Sequence, residues 1–288
     1  MAQSPTHRFG QIIGEVLEKA VEPLLQEFAL RYGLYLDKKG PRPARAGNKV
    51  TWRDLYGNAH DLDFVLEKGG THETRGTPVA FIETAWRRYT KHSRNKAQEI
   101  QGAIIPLIET YQHVKPFFGV ILAGTFTTGA LEQLRSLGFT VVYFPYERIV
   151  RAFSSVGIDA HFDENTPDSV VATKVARWEA LPASDRSRVS RLLIDMHQDQ
   201  LLSFMNELDK FITRKVKNVI ILALHGQHLI SPSIDQAIRI IEEYNESAVN
   251  KDQKFIKYEI EVIYMNNDQI RASFSEKYRA LEFLRSFL

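Results

Sequence analysis

Two acidic residues, Asp63 in the segment HDLDFVLE and Glu83 in TPVAFIETAW, carry the chemistry this chain is most plainly equipped to do. Both segments read as β-strands, and two carboxylates delivered by adjacent strands make a hard-oxygen site suited to Mg²⁺. The second strand runs into AWRRYTKHSRNKAQ, where five Lys or Arg and no acid lie between Glu83 and Glu99. Without an acid, i,i+4 pairing inside that run is impossible, so it calls for an anion from elsewhere, such as a phosphate backbone. Hydrolysis of a phosphodiester needs a nucleophile made from water and stabilisation of developing negative charge, which a carboxylate-held cation beside cationic side chains supplies. A metal-dependent nuclease is the activity these residues imply.

The elements that must position the pair follow from periodicity. Phe9, Ile12, Ile13, Val16, Leu17, Ala20, Leu24, Leu25, Phe28 and Tyr32 form the apolar stripe of a long helix, with a bend expected near Pro23. A basic Pro/Gly-rich loop follows, LDKKGPRPARAGNK. VTWRDL and HDLDFVLE then read as strands joined by a turn at GNAH, the second half-buried through Leu62, Phe64 and Leu66. In TPVAFIETAW, period-2 alternation puts Phe81, Glu83 and Ala85 on one face, and antiparallel pairing of the two strands would bring Asp63 to Glu83. A helix over about 90–111, then FFGVILAGT, TTGALEQLRSLG and FTVVYFPY, make a βαβ unit with a parallel pair.

The predicted fold class is α/β, a mixed central sheet flanked by helices with a C-terminal α/β extension. Residues 1–160 are expected to form the core, 161–185 a polar connecting segment, and 186–288 a second α/β region opened by one long helix over 185–212. The chain has 288 residues and a net charge of +2, so any nucleic-acid footprint must be local rather than a property of the whole surface. Cysteine is absent, which excludes disulfides and thiolate metal sites. The first twenty residues lack the apolar core of a signal peptide, and no window approaches a membrane span, so a cytoplasmic protein without membrane attachment is expected.

The order helix, strand with Asp, strand with Glu, helix, strand, helix, strand over residues 9–150 resembles the PD-(D/E)XK nuclease superfamily, the fold of many type II restriction endonucleases. The resemblance implies a mixed four-stranded sheet and assigns Asp63 and Glu83 to Mg²⁺, with the carbonyl of Thr84 as a further ligand. The family's lysine, two residues after the Glu, is here Ala85, and Leu62 stands where a proline precedes the Asp. By the same resemblance the lysine comes from elsewhere, Lys96 first and Lys91 second, and Glu15 or Glu18 of the first helix contacts the metal or its water. Lysine would orient the attacking water and favour its hydroxide form, while Arg87, Arg88 and Arg94 would hold flanking phosphates. The implied protein is a homodimeric endonuclease on double-stranded DNA, of the restriction-modification kind, its two-fold symmetry matching palindromic targets. TRKVKN and DRSRVSR in the C-terminal region would assist in DNA binding or dimerisation.

Plainer readings compete. Asp61 and Asp63 are also a strand-start pair after a turn, and Arg87 or Arg88 would satisfy Glu83 as a structural ion pair. The missing lysine at Ala85 motivates a second hypothesis, a nuclease-derived protein that binds nucleic acid without cutting it. A third is an α/β enzyme on a phosphorylated small molecule, if the basic helix lines a closed pocket. AGTFTTGA lacks the GxxxxGK[ST] and GxGxxG patterns and reads as an ordinary strand-to-helix turn. His225 and His228 in HGQH lack a third ligand, and Trp52, Trp86 and Trp178 read as core or interface anchors, with Trp86 near enough to Glu83 to touch DNA.

Overall fold

In the computed structural model, which describes residues 4–223, 227–247 and 255–288, the chain is mixed α/β and divides into two compact units. The first comprises residues 1–110 and 116–209, the second 111–115 and 210–288. The chain starts with α1 (Pro5–Arg31), capped by Ser4, whose hydroxyl accepts from the N–H of His7, and helped by Pro5, whose missing N–H costs nothing in a first turn. The predicted stripe is buried from Phe9 to Phe28 except for the half-buried Leu24, and Pro23 lies inside the helix.

Next come β1 (Leu34–Lys38), β2 (Val50–Arg53), β3 (Ala59–Leu62), β4 (Phe64–Lys68), β5 (Thr77–Arg87) and, after a 3-10 turn, α2 (Ser93–Thr110). Then follow β6 (Phe117–Gly124), α3 (Thr128–Ser136), β7 (Thr140–Pro145) and α4 (Tyr146–Ser154). The central sheet has the order β1-β4-β5-β6-β7; β1, β4 and β5 pair antiparallel, β5, β6 and β7 parallel. The mixed sheet expected from sequence is present, with five strands.

The segment HDLDFVLE is not one half-buried strand. It breaks at Asp63: β3 turns away to form a two-stranded ribbon with β2, while β4 enters the sheet with Phe64, Val65, Leu66 and Glu67 all buried. Period-2 alternation misleads here because a strand between two others in a covered sheet is buried on both faces. The stretch from Leu36 to Lys38, read as the start of a basic loop, is instead most of β1. The loop's Arg42 and Arg45 fold inward: Arg42 binds Glu67 through two nitrogens (2.5 and 3.0 Å), Arg45 Nε lies 3.2 Å from Asp37, and Arg42 Nη1 also reaches Asp37 at 2.9 Å.

Residues 161–185 do not form a plain connecting segment. They contain α5 (Asp168–Ala180), which packs on α1, as does α6 (Ala183–Asp195). The long helix expected over 185–212 is two, α6 and α7 (Gln198–Ile212), separated at Met196–His197. The first unit therefore runs well past residue 160, because helices after that point cover faces that the preceding residues leave apolar; Trp178, for example, is buried against Phe153.

The second unit holds β8 (Val216–Ala223), β9 (Gln227–Ser231), α8 (Ile234–Glu243), β10 (Tyr258–Tyr264), β11 (Gln269–Phe274) and α9 (Lys277–Arg285). Its antiparallel sheet, in the order β11-β10-β8-β9, buries Val219, Ile221, Tyr258, Ile260 and Val262 with Ile238 and Leu284 of its helices. Within TRKVKN, Arg214 stacks on Tyr264 and donates to the carbonyls of Val114 and Lys115, so it serves this unit's own packing. His225 and the side chain of His228 lie outside the described residues. Among the described residues no helix is long and apolar enough to cross a membrane.

Candidate active site

The antiparallel ladder between β4 and β5 pairs Phe64 with Ile82 and Val65 with Phe81. One step further along this register Asp63 falls opposite Glu83, where β3 has left the sheet and β5 continues alone on that edge. Thr84 loses its ladder partner there, and Asp63 replaces it: Asp63 Oδ2 accepts from both the backbone N–H and the hydroxyl of Thr84, each at 2.7 Å. N–H and C=O of one strand residue point to the same edge, so the Thr84 carbonyl also faces the gap. Asp63 Oδ1 has no hydrogen-bond partner among the described residues.

Glu83 is mostly buried. Its Oε1 lies 3.7 Å from Lys96 Nζ, and its Oε2 is buried with no hydrogen-bond partner among the described residues. Burial first and the neighbouring Asp63 charge second push the Glu83 carboxyl up to about 8, with Lys96 opposing. Glu18, reaching in from α1, is raised to about 7, again by burial first and the Asp63 charge second. Glu83 and Glu18 thus sit, beside the Asp63 charge, in a region too poor in water to ionise both readily. That is the electrostatic condition a bound dication relieves.

These groups line a cleft of about 410 Å³ between the N-terminal half of α1, the end of β5 and the first turn of α2. Of the residues singled out from sequence, Asp63, Glu83, Thr84, Arg87 and Lys96 line it, and Trp86 forms part of its wall. Lys96 also contacts Glu99 at 3.4 Å, as does Arg87. Lys91 does not line the cleft; it is exposed and ion-paired with Glu164. Arg88 turns away to stack on Tyr146, 4.0 Å from the ring centroid, and donates to the Phe162 carbonyl. Arg94 is exposed at the start of α2 and also lies outside the cleft lining. The anions that the basic run lacks in sequence come in part from Glu83, Glu99 and Glu164. Glu15 pairs with Arg8 on another side of α1, leaving Glu18 as that helix's acid in the cleft.

Sequence reasoning missed His7, Gly10, Gln11 and Gly14, the remaining α1 residues of the lining apart from Leu17. Their signal was present: positions 7, 11, 14 and 18 recur at helical spacing as a polar and glycine stripe beside the apolar one. The strand-to-helix turn after β6 is an ordinary one, as read. Thr127 caps α3, and Gly124, at φ +99°, sits where a Cβ would lie 2.1 Å from the Arg87 carbonyl.

The donor set fits a hard divalent cation. No group of three His, Cys, Asp or Glu among the described residues forms a metal cage. Mg²⁺ typically uses one or two carboxylates and completes its shell with water and substrate phosphate. Asp63 Oδ1 and Glu83 Oε2 are two such oxygens, neither of them committed elsewhere.

By fold this is a mixed α/β protein with its acidic cleft where the β4–β5 ladder of the central sheet ends. No family model and no curated protein matches the chain. A crystal structure of a protein of unknown function, AF1548, is similar at 10% identity and a TM-score of 0.30, over 64% of this chain and 99% of that one.

Proposed function

We propose that the first unit is a Mg²⁺-dependent endonuclease of the PD-(D/E)XK type, hydrolysing phosphodiester bonds of double-stranded DNA as a type II restriction enzyme does. The observation that carries this reading is the pairing of Asp63 with Glu83 by the β4–β5 register, with Lys96 of α2 3.7 Å from Glu83 and Ala85 at the position the family gives to lysine. Asp63, Glu83 and the Thr84 carbonyl would hold the cation, with Glu18 at its margin. A divalent cation bound there lowers the pKa of a coordinated water and polarises a phosphoryl oxygen. Lys96 opposes the upward shift of Glu83 and so favours the ionised form a cation needs, and it offers N–H donors to an attacking water, while Arg87 of the same cleft offers donors to a neighbouring phosphate. A homodimer would match the two-fold symmetry of a palindromic site.

The test is incubation of the purified protein with plasmid and phage DNA, with and without Mg²⁺, beside Glu83→Ala. Discrete fragments that need both Mg²⁺ and Glu83 are expected. A second reading, a nuclease-like protein that binds DNA without cutting, is favoured by one observation: Asp63 spends an oxygen on Thr84, a structural duty that would preserve it in an inactive fold. DNA binding without cleavage under any divalent metal would establish that alternative.

A further inference from the structure

The cleft has a second wall whose composition the carboxylates do not explain. His7, Gly10, Gln11, Gly14 and Glu18 of α1 face Asp63 and Glu83 across it. Two glycines inside one helix are unfavourable, each costing about 1 kcal/mol relative to alanine. Packing does not require them. A Cβ built on Gly14 meets nothing within 4 Å, and one on Gly10 meets only the Trp86 ring, at an ordinary 3.6 Å. The helix is therefore bare at Gly14, where it could carry a side chain, in the same cleft that Glu83 lines with its buried, unpartnered Oε2. Beside the bare stretch, His7 Nε2 and Gln11 Nε2 lie 3.2 Å apart. If the imidazole accepts at Nε2 its Nδ1 carries the proton, leaving that N–H and the second amide hydrogen of Gln11 as free donors.

We infer that this α1 wall is the seat of one nucleic-acid strand: Gly14 gives the sugar–phosphate backbone clearance, and His7 with Gln11 donates to a phosphate flanking the scissile one. The inference rests on the phosphodiester reading above. It makes Gly14 a specificity-determining position and His7 and Gln11 positioning residues, while Asp63, Glu83 and Lys96 keep the chemistry.

The experiment measures binding of a fluorescently labelled DNA duplex to the full chain, with Ca²⁺ in place of Mg²⁺, together with Mg²⁺-dependent cleavage and thermal unfolding. The variants are Gly14→Ala, Gly14→Leu, the double variant His7→Ala/Gln11→Ala, and Gly102→Leu. Gly102 is the matched control, a helical glycine in α2 whose added Cβ also meets nothing within 4 Å and which lies outside the cleft lining. Gly14→Ala should unfold at a higher temperature yet bind less well. Gly14→Leu, still folded, should bind roughly tenfold or more weakly, the loss of about one good contact. The double variant should lose affinity with unchanged stability, and Gly102→Leu should bind as the wild type does. Wild-type affinity in both folded Gly14→Leu and the double variant overturns the inference and leaves the nuclease reading standing. A wild-type chain that neither binds nor cuts DNA overturns that reading and this one together.

Discussion

Folding raises the Glu83 carboxyl strongly, and the displacement has a sign that can be measured. With its carboxyl raised from 4.5 to about 8, the folded chain holds a proton between those values that the unfolded chain has released. Stability must then fall as pH rises through that window, and the whole cost is present above it. Glu83→Gln removes this cost. We predict that it unfolds a few degrees above the wild type at pH 8.5 and close to it at pH 4.5, at roughly 2–4 °C per kcal/mol for a chain of this size. Mg²⁺ should stabilise the wild type more at pH 8.5 than at pH 5.5 and leave Glu83→Gln nearly unchanged. Equal melting of both proteins at every pH would mean that Glu83 is solvated. Lys96 and Lys91 separate as cleanly: Lys96→Ala should lower Mg²⁺-dependent cleavage about 10²–10³-fold, the usual loss for one electrostatic group in a reacting site. Lys91→Ala, whose partner is Glu164 outside the cleft, should leave the rate little changed, as a plasmid-nicking time course would show.

At the scale of elements, the edge strand β1 and its neighbour β4 are held together by charges no strand pattern announces. Asp37 of β1, Glu67 of β4 and the loop residues Arg42 and Arg45 form a buried network, with Glu67 fully inaccessible and Arg42 also bound to the carbonyls of Thr71 and Thr74. Arg42→Ala would leave the buried Glu67 without its counter-ion and Asp37 with Arg45 alone. A loss of about 3–5 kcal/mol is expected, read as a lowered denaturation midpoint in urea. Legibility at this scale was uneven for one reason. α1, α2 and the βαβ unit were readable because each shows one apolar face at its own period. β1 and β4 were misread because their polar residues, Asp37 and Glu67, are satisfied by arginines of the loop that folds back over the strands, a pairing that local alternation does not encode. The boundary near 161–185 failed similarly: proline and polar residues there are the caps and turns around α5, not a linker.

Across the molecule, each unit has its own sheet and its own buried core, the first around α1 and β4–β7 and the second around β8, β10 and α8. Calorimetry of the full chain is expected to resolve two unfolding transitions, and the Arg42→Ala substitution should lower only one of them. A single transition shifted as a whole would mean that the two units unfold as one. The net charge of +2 offers no long-range steering, so DNA affinity, where present, should depend on the few cleft cations and fall only moderately with added salt.

The sequence by itself determined which residue types were available: two carboxylates at strand spacing, a cation-rich segment after the second, no thiols, and helices and strands in the order of a mixed α/β sheet. That much follows from composition and period, which are local. The tertiary structure alone decided which of those residues meet. Register placed Asp63 against Glu83 and tied it to Thr84; helix packing chose Lys96 over Lys91 and Glu18 over Glu15, and turned Arg88 into the aromatic core. The bare face of α1 became visible as a wall only once β5 stood opposite it. Each of these outcomes depends on contacts between residues far apart in the chain, where side-chain direction and burial, not spacing, determine the neighbour.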